Sequence, residues 1–376
     1  MSQLFPNYTR LPLEIAAGKG SYVTDTQGRT YLDFTSGIGV VNLGYGQPDI
    51  QQAMQQQAEK LWHVPNLYIN SLQETVAEKL AKGQYLAYFC NSGAEANEAA
   101  LKLARKATGR TKILTFSGSF HGRTFGAMTA TAQESIHQGF GPLVPDFAYL
   151  PFNDLPPLQA ALDEETAAVM LELIQGEGGV IPAEKEWVQQ VAALCKKTGA
   201  LLIVDEIQTG MGRTGSFYAF EQYGIEPDIF TLAKGLGNGL PVGAMLGKAT
   251  LQKGFGPGSH GSTFGGNLLA MAAASAVCTV LSDSEVLANV HARHQQLMTG
   301  LTDLSQIAAI RGSGLMIGLE LKDSETLQQT MTALRQEGLL ALRAGSKVLR
   351  LLPPLTITEA EMAEGLTILR RVIGQL

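Results

Sequence analysis

The sequence predicts an α/β protein with a large domain, built on a mostly parallel mixed sheet, and a small α+β domain. Short apolar runs alternate with amphipathic helical stretches through the middle of the chain, which is typical of strands linked by helices. These runs are largely apolar, as in strands that helices cover on both faces. Near Ile307 the pattern changes to short strands followed by single helices, which indicates the second domain.

The first element in chain order is a hairpin over residues 21–34 that turns at Gln27-Gly28. The predicted strands of the large domain are Tyr85–Cys90, Lys112–Phe116, Ala167–Leu173, Ala200–Asp205, Asp228–Leu232 and Val242–Leu246. Its predicted helices are Glu95–Ala107, Glu184–Thr198 and a mainly helical region, 265–304, that breaks near Ser282.

The small domain is predicted mainly from the last part of the chain. Its expected strands and helices are Ala308–Arg311, Leu315–Leu321, the surroundings of Leu340 and Leu349, Ser324–Gln336 and Glu359–Val372. We expect residues 1–45 to belong to this domain, residues 46–282 to form the large domain, and residues 283–376 to complete the small one.

The composition limits the partners of the chain. Its 376 residues are 16% charged, against about 25% in an average soluble domain. A net charge of −6 argues against a nucleic-acid partner, because proteins that bind nucleic acids normally carry a positively charged surface. There is no polybasic patch and no run of 18 apolar residues, so no membrane association is expected. The low charge suggests instead that part of the surface is a subunit interface.

The cysteines and histidines indicate neither disulfides nor a metal. Cys90, Cys195 and Cys278 are odd in number and widely spaced, which fits free thiols in a reducing compartment. His291 and His294 share a predicted helix face, but a third ligand is missing, so no metal is expected. No secretory signal is visible at the N-terminus, and we therefore expect a cytoplasmic protein.

One segment has the features of an anion site. Asn91-Ser92-Gly93-Ala94-Glu95 follows a predicted strand and opens a helix, and Ser92 and Glu95 have the spacing of a capping box. Free N–H groups and the helix dipole at such an end favour a phosphate, and Gly93 lets a ligand approach the backbone. The alternative interpretation is an ordinary capped helix.

An acid and a lysine follow at the ends of two successive strands. Asp205 ends one strand, and Glu206 should point to the opposite side by strand alternation. Gln208 lies just beyond and could donate to a ligand oxygen. Lys234 stands alone among small residues after the next strand, where partial desolvation would lower its pKa and permit a Schiff base. Taken alone it could equally be a solvated loop lysine.

Together these three features match one cofactor. Pyridoxal phosphate requires a lysine for an imine, a phosphate cradle and an acid on its ring nitrogen. Ligands in open α/β sheets bind at the carboxyl ends of the strands, where all three features are predicted.

The chain resembles the class III, fold-type-I, pyridoxal-phosphate-dependent aminotransferases. The resemblance covers nearly the whole chain, from Gly18-Lys19-Gly20 to Arg350-Leu351-Leu352-Pro353-Pro354. Its motifs are Asn-Ser-Gly-Ala-Glu-Ala-Asn-Glu at 91–98, Ser-Phe-His-Gly-Arg-Thr at 119–124, Gln-Gly-Glu-Gly-Gly at 175–179, Asp-Glu-Ile-Gln-Thr-Gly at 205–210, and Lys234 with its glycines. The sequence departs from the family pattern at Tyr45 and Leu173, but neither residue is at a position assigned to the imine or to the ring nitrogen.

The resemblance implies a role for each residue of the cofactor site. Lys234 would bind the cofactor covalently and carry protons, and Asp205 would keep the ring nitrogen protonated. The residues that would bind the cofactor further are Ser92, Gly93 and Ala94 at the phosphate, Phe120 and His121 at the ring, and Gln208 at the phenolic oxygen. Thr263 would reach the phosphate of a neighbouring subunit and Ser262 its substrate, in a homodimer with shared active sites.

The resemblance also implies how two substrates share one site. Arg123 would bind a substrate carboxylate, and Arg350 would bind the α-carboxylate of 2-oxoglutarate. Arginine suits both tasks, because its planar fork binds a carboxylate bidentately. Glu177 would pair with Arg350 while the amine substrate reacts and release it for the oxo acid. A structural salt bridge is the alternative interpretation of that pair.

One position bears on the choice of amino donor. Relatives that act on ornithine carry a tyrosine where this chain has Ile38. Because burying an unpaired ammonium group is costly, Ile38 favours an acylated α-nitrogen, as in N2-acetyl-L-ornithine. Ornithine, 4-aminobutyrate, N-succinyl-diaminopimelate and succinylornithine remain alternatives. A racemase or an aminomutase on this fold would have no use for an Arg350–Glu177 switch, and the presence of Lys234 argues against a non-catalytic cofactor-binding protein.

Overall fold

The computed structural model describes residues 3–375; Met1, Ser2 and Leu376, which fall within the predicted domain bounds, lie outside the described residues. Its strands are β1 (Ile15–Lys19), β2 (Tyr22–Asp25), β3 (Thr30–Asp33), β4 (Tyr85–Cys90), β5 (Lys112–Phe116), β6 (Phe147–Leu150), β7 (Thr166–Glu172), β8 (Ile174–Gln175), β9 (Ile181–Pro182), β10 (Leu201–Asp205), β11 (Ile229–Leu232), β12 (Gly243–Lys248), β13 (Ala309–Ser313), β14 (Met316–Glu320), β15 (Leu339–Leu340), β16 (Leu342–Ala344) and β17 (Val348–Leu351). Its helices are α1 (Ser36–Gly39), α2 (Pro48–Ala58), α3 (Ser71–Ala81), α4 (Gly93–Thr108), α5 (Phe125–Ala130), α6 (Glu134–His137), α7 (Leu155–Ala161), α8 (Lys185–Thr198), α9 (Phe220–Tyr223), α10 (Leu268–Leu281), α11 (Ser284–Leu301), α12 (Ser324–Gln336) and α13 (Glu359–Ile373).

The largest sheet has seven strands in the order β4-β12-β11-β10-β7-β5-β6. The pairs from β11 to β6 are parallel, whereas β12 runs antiparallel to both of its neighbours. The predicted α/β class with a mostly parallel mixed sheet is therefore confirmed. Strand β6 was not predicted, because its residues are mostly part-exposed and give no continuous apolar run.

Helix α4 shows how the sequence builds the layer above this sheet. Ser92 caps its first turn, and Gly109 ends it at a φ of 69°, which glycine adopts without strain. Ala96, Ala99 and Leu103 recur at helical spacing and are buried. The apolar stripe thus fixes which face of α4 meets the sheet.

Helices α2 and α3 were also not predicted, and both pack against α10. Helix α2 buries only Ile50 and is otherwise rich in glutamine, so its apolar periodicity is weak. Helix α10 is apolar on nearly all sides, because α2 and α3 cover it. Within residues 3–375 no single helix could span a bilayer; α10 and α11 would qualify by length and composition only as a pair, bent by 70°.

The two chain ends share a small sheet in the order β1-β2-β3-β15. Strand β15 pairs in parallel with β3, with Leu339 opposite Leu32. A second four-stranded sheet, β13-β14-β17-β16, is antiparallel and carries Arg350. These pairings are what a small domain made of both chain ends requires, and the domain bounds themselves stay a prediction.

The buried Arg213 connects three separate parts of the chain. Its guanidinium donates to the carbonyl oxygens of Leu315 (2.9 Å) and Pro353 (2.6 Å) and to Oδ1 of Asn42 (2.6 Å). Burial lowers the pKa of Arg213 to about 9. The contacts fix the N-terminal segment and the C-terminal sheets against the large sheet.

Strand register brings the chemically important residues to one edge. Asp205 ends β10 and lies opposite Glu172 of β7 and Thr231 of β11. Lys234 follows two residues after β11 ends at Leu232. Because these three strands are parallel, their carboxyl ends meet where open α/β sheets bind ligands.

Candidate active site

A cavity of about 490 Å³ lies at this edge of the large sheet. Its wall includes these predicted residues: Ser92, Gly93, Ala94, Phe120, His121, Arg123, Asp205, Gln208 and Lys234. They come from the ends of separate strands and from the start of α4, so the fold brings most of the predicted cofactor residues together.

Lys234 lies on the cavity wall in a short turn of 3-10 helix and is partly buried. Its φ of 44° is in the left-handed region, which costs free energy in a residue other than glycine. Burial lowers the pKa of its ammonium group. A lysine that is more readily neutral is suited to attack a carbonyl group through Nζ.

The carboxylate of Asp205 has fixed partners on both oxygens. Oδ2 accepts from Nδ2 of Asn97 at 2.8 Å and contacts Nδ1 of His121 at 2.7 Å, while Oδ1 accepts from the backbone N–H of Ile207 at 3.0 Å. Oδ1 of Asn97 in turn accepts from the Thr231 hydroxyl at 2.8 Å. The carboxylate therefore has one defined orientation in the cavity wall.

His121 is fully buried, and its second ring nitrogen, Nε2, has no hydrogen-bond partner among the described residues. Burial by itself disfavours the charged imidazolium, but the hydrogen bond and charge of Asp205 outweigh it and raise the pKa of His121. His121 therefore holds a proton more readily than a histidine in water does.

Glu172 and Glu206 are two further buried acids with different surroundings. Glu172 lines the cavity and accepts the backbone N–H of Phe120 at 3.0 Å, which positions that ring. Glu206 turns away, as predicted, and accepts from the Thr209 hydroxyl (2.5 Å) and the Phe220 N–H (2.8 Å). Burial raises the pKa of each carboxyl to about 7.

The start of α4 differs from prediction in one detail. The Ser92 hydroxyl accepts the N–H of Glu95 at 3.2 Å, but the Glu95 carboxylate binds the backbone N–H (2.6 Å) and side chain (2.9 Å) of Asn91. In a capping box the Glu95 carboxylate would accept the backbone N–H of Ser92, but here it accepts that of Asn91. Gly93 and Ala94 precede the first intrahelical bond, so their N–H groups suit an anion in the cavity.

Arg350 and Glu177 meet beside this cavity. Nη1 of the buried Arg350 lies 2.6 Å from Oε1 of Glu177 and 3.0 Å from Oε1 of Gln208. A Cβ at Gly176 would overlap the Gln208 side chain, so a larger residue there would displace that amide. With Oε1 bound by Arg350, the Gln208 amide is oriented with Nε2 as the free donor.

A second cavity of about 590 Å³ continues outward and shares Phe120 and Arg123 with the first. The Arg123 guanidinium lies 5.6 Å from the centre of the Phe120 ring, in a cation–π contact. Glu177 and Arg343 also line this outer cavity.

Besides Arg350, which lies beside the first cavity, three predicted residues line neither cavity of this chain. Ile38 is 47% exposed, with a φ of 68°, whereas Val40 lies on the wall. Ser262 is hydrogen-bonded to Asn91 at 3.1 Å, and Thr263 is exposed. The roles predicted for these three residues stay predictions.

Sequence reasoning missed four residues of the site: Asn97, Glu172, Thr231 and Arg343. Asn97 lies inside the motif at 91–98, and Thr231 lies opposite Asp205 on the adjacent strand, so a register argument could have found both. Arg343 gave no sign in the sequence, because only the fold brings it near Arg123.

The arrangement fits pyridoxal phosphate on its donor set. It places a partly buried amine, an oriented carboxylate and the free N–H groups of a helix start around one cavity. These are the groups for covalent attachment, for a protonated ring nitrogen and for a phosphate.

Known proteins resemble this chain over its full length. The family model for aminotransferase class-III matches residues 5–373. The acetylornithine aminotransferase of Streptococcus mutans is 58% identical over 380 residues, covering 100% of each chain, and that of Listeria monocytogenes is 56% identical, covering 99% of this chain and 97% of its own.

Two solved structures show the same fold. N-acetylornithine aminotransferase from Stenotrophomonas maltophilia has a TM-score of 0.85 and 38% identity, covering 98% of this chain and 97% of its own. Ornithine aminotransferase from Toxoplasma gondii has a TM-score of 0.94 and 33% identity, covering 99% and 92%. With the geometry of Lys234 and Asp205, these likenesses show that the chain is a pyridoxal-phosphate-dependent enzyme and belongs to the aminotransferase class-III family.

Proposed function

We propose that the protein transfers the δ-amino group of N2-acetyl-L-ornithine to 2-oxoglutarate, giving N-acetylglutamate 5-semialdehyde and L-glutamate, a step of arginine biosynthesis. The observation that carries the proposal is the Arg350–Glu177 pair close to Lys234. Full-length relatives named acetylornithine aminotransferase, at 58% and 56% identity, support the choice of donor. Fold likeness does not decide it, because the ornithine aminotransferase of Toxoplasma gondii is also very similar.

Pyridoxal phosphate, when bound, supplies the electron sink that stabilises negative charge on the substrate carbon. Nζ of Lys234 would attach the cofactor and then, once freed, carry a proton from the substrate carbon to the cofactor. Because burial lowers the pKa of Lys234, its neutral form is available as the base.

Asp205 would hold the proton on the ring nitrogen. Its orientation by Asn97 and Ile207 means that no rearrangement is needed when the ring arrives. Phe120 would cover one ring face, and the N–H groups of Gly93 and Ala94 would bind the phosphate. His121 would line the ring site beside Asp205, and Gln208 would donate through Nε2 to the phenolic oxygen.

Glu177 and Arg350 would decide which substrate enters. While they are paired, Glu177 neutralises the positive charge of Arg350. The terminal amine of the donor can then approach Lys234 without facing an unpaired guanidinium. When Glu177 moves away, the buried guanidinium is left unpaired and binds the α-carboxylate of 2-oxoglutarate. Arg123 would bind the carboxylate at the far end of either substrate.

The proposal includes a homodimer with shared active sites. Nδ2 of Asn66 donates to the carbonyl oxygens of Ser262 (3.2 Å) and Gly265 (2.9 Å), which ties two surface segments together. Beside this tie Leu67, Ile69 and Phe264 are 89%, 96% and 60% exposed. An apolar patch next to Thr263 and Ser262 is suited to a second subunit, whose active site these two residues would complete.

A half-reaction panel tests the proposal. N2-acetylornithine, ornithine and 4-aminobutyrate are added separately to purified holoenzyme without an oxo acid, and the visible absorbance of the bound cofactor is followed. We expect the fastest change with N2-acetylornithine; an equal or faster change with ornithine or 4-aminobutyrate would contradict the donor. Lys234→Ala is the control and should show neither the visible band nor turnover.

A further inference from the structure

The outer cavity is lined by an arginine, Arg343, to which the functions assigned so far give no role. Phe120, Arg123 and Glu177 line the same cavity. Since Phe120 and Arg123 line both cavities, the outer cavity adjoins the inner one, which contains Lys234.

The net charge of the residues that line the outer cavity is positive and comes from Arg123 and Arg343. Glu177 is already paired with Arg350 at 2.6 Å. Within residues 3–375, neither Arg123 nor Arg343 has a carboxylate within 4.0 Å. Arg343 donates to the Ser346 carbonyl oxygen at 3.3 Å, which leaves most of its five donors free.

The backbone holds Arg343 in a fixed relation to the Arg350–Glu177 pair. Its strand β16 pairs with β17, where Leu342 lies opposite Arg350. The following turn is attached to the other partner, because the N–H of Gly345 donates to the Glu177 carbonyl oxygen at 2.9 Å. Arg343 is therefore placed by the same two elements that place the pair.

We propose that Arg343 is a specificity-determining residue and, with Arg123, forms a two-guanidinium subsite for a carboxylate at the substrate end remote from the reacting group. The inference rests on the proposed function. Both proposed substrates carry such a carboxylate: the α-carboxylate of an N2-acylated ornithine and the distal carboxylate of 2-oxoglutarate. A free α-ammonium group would face two positive charges there, so the subsite selects against unacylated ornithine.

The test compares Arg343→Gln with Arg371→Gln, which removes one positive charge from a surface pair with Glu337 outside both cavities. Because Arg343 is exposed, we expect Arg343→Gln to raise the KM for N2-acetylornithine about fivefold. The kcat of Arg343→Gln should stay within about twofold of the wild-type value. The ratio of kcat/KM for N2-acetylornithine to kcat/KM for ornithine should decrease. Arg371→Gln should change none of these values.

A binding measurement needs no turnover. Calorimetric titration of the holoenzyme with glutarate, a five-carbon dicarboxylate, should show about fivefold weaker binding in Arg343→Gln. Butyrate, which lacks the second carboxylate, should bind both variants alike. Unchanged KM values or unchanged glutarate binding in Arg343→Gln would overturn the subsite. If the wild type fails to take the δ-amine of N2-acetylornithine, the proposed function falls, while the glutarate titration still decides the role of Arg343.

Discussion

The hydroxyl of Thr231 donates to the side-chain carbonyl of Asn97 at 2.8 Å, and this bond fixes which way the Asn97 amide points. The amide nitrogen is thereby directed at the Asp205 carboxylate, 2.8 Å away, and at the His121 carbonyl oxygen, 2.7 Å away. Since Asn97 and Thr231 are fully buried, water cannot replace a lost partner.

Thr231→Val should weaken both the fold and the reaction. It leaves the Asn97 carbonyl buried without a donor, which costs about 1–3 kcal/mol of unfolding free energy. With Asp205 less firmly oriented, kcat should fall about tenfold, equivalent to about 1.4 kcal/mol of activation free energy. Denaturant titration and steady-state kinetics measure the two effects.

Thr231→Ser is the matched control, because it keeps the hydroxyl and should restore activity. A structural role alone would lower stability in Thr231→Val without moving the pH dependence of the cofactor absorbance. An unmoved absorbance profile would therefore count against the orientation of Asp205 by this contact.

Arg350→Ala should separate the two half-reactions. The 2-oxoglutarate half-reaction loses its carboxylate partner and should slow by about 100-fold, the size of a charge-assisted hydrogen bond of about 3 kcal/mol. The amine half-reaction, in which Glu177 neutralises Arg350, should slow less. Single-turnover absorbance measurements with each substrate give both rates, and equal losses would contradict the switch.

Ile38→Tyr should improve the use of free ornithine relative to N2-acetylornithine, by about fivefold in the ratio of kcat/KM values. The added hydroxyl can accept a hydrogen bond from the α-ammonium group. Ile38→Phe is the matched control, because it adds the ring alone. If the two variants share one ratio, Ile38 does not govern donor choice.

Glu206 should make stability depend on pH. Its pKa is raised to about 7 in the folded protein by burial, so the folded state binds a proton that the unfolded state, with a pKa near 4.5, releases. The wild type should therefore lose stability as the pH rises from about 5 to about 7, on the order of 3 kcal/mol from this group.

Glu206→Gln removes the titration and keeps a side chain of the same shape. The melting temperature of the wild type should fall relative to this variant between pH 5 and 8. If the melting temperatures of the wild type and Glu206→Gln change with pH in the same way across that range, the Glu206 carboxyl does not titrate there. Glu206 lies outside both cavities, so substrate binding does not complicate the measurement.

Much of the fold and site could be predicted because the deciding residues are local. Helix α12 occupies its predicted bounds, Ser324–Gln336, and Asp205 and Lys234 lie at the ends of strands whose apolar runs are plain. The missed residues act through non-local contacts. Asn97 contacts Asp205 across 108 positions, and Arg343 and Arg123, which are far apart in the sequence, line one cavity only in the folded chain.

The capping box shows why local spacing can still mislead. Ser92 and Glu95 have the correct separation, yet Glu95 bonds to Asn91, whose side chain Ser262 also contacts. A distant loop thus decides which backbone group Glu95 satisfies, and spacing alone carries no information about that loop.

The pairing of β3 with β15 bears on how the protein is made. Residues Thr30–Asp33 leave the ribosome early, but Leu339–Leu340, beside which they lie, are among the last to be synthesised. Arg350, which arrives later still, and the Pro353 carbonyl that Arg213 binds belong to the same final segment. The nascent chain can therefore assemble the lysine side of the cavity first, and Arg350, with its proposed role in substrate choice, joins the site only when translation is nearly complete.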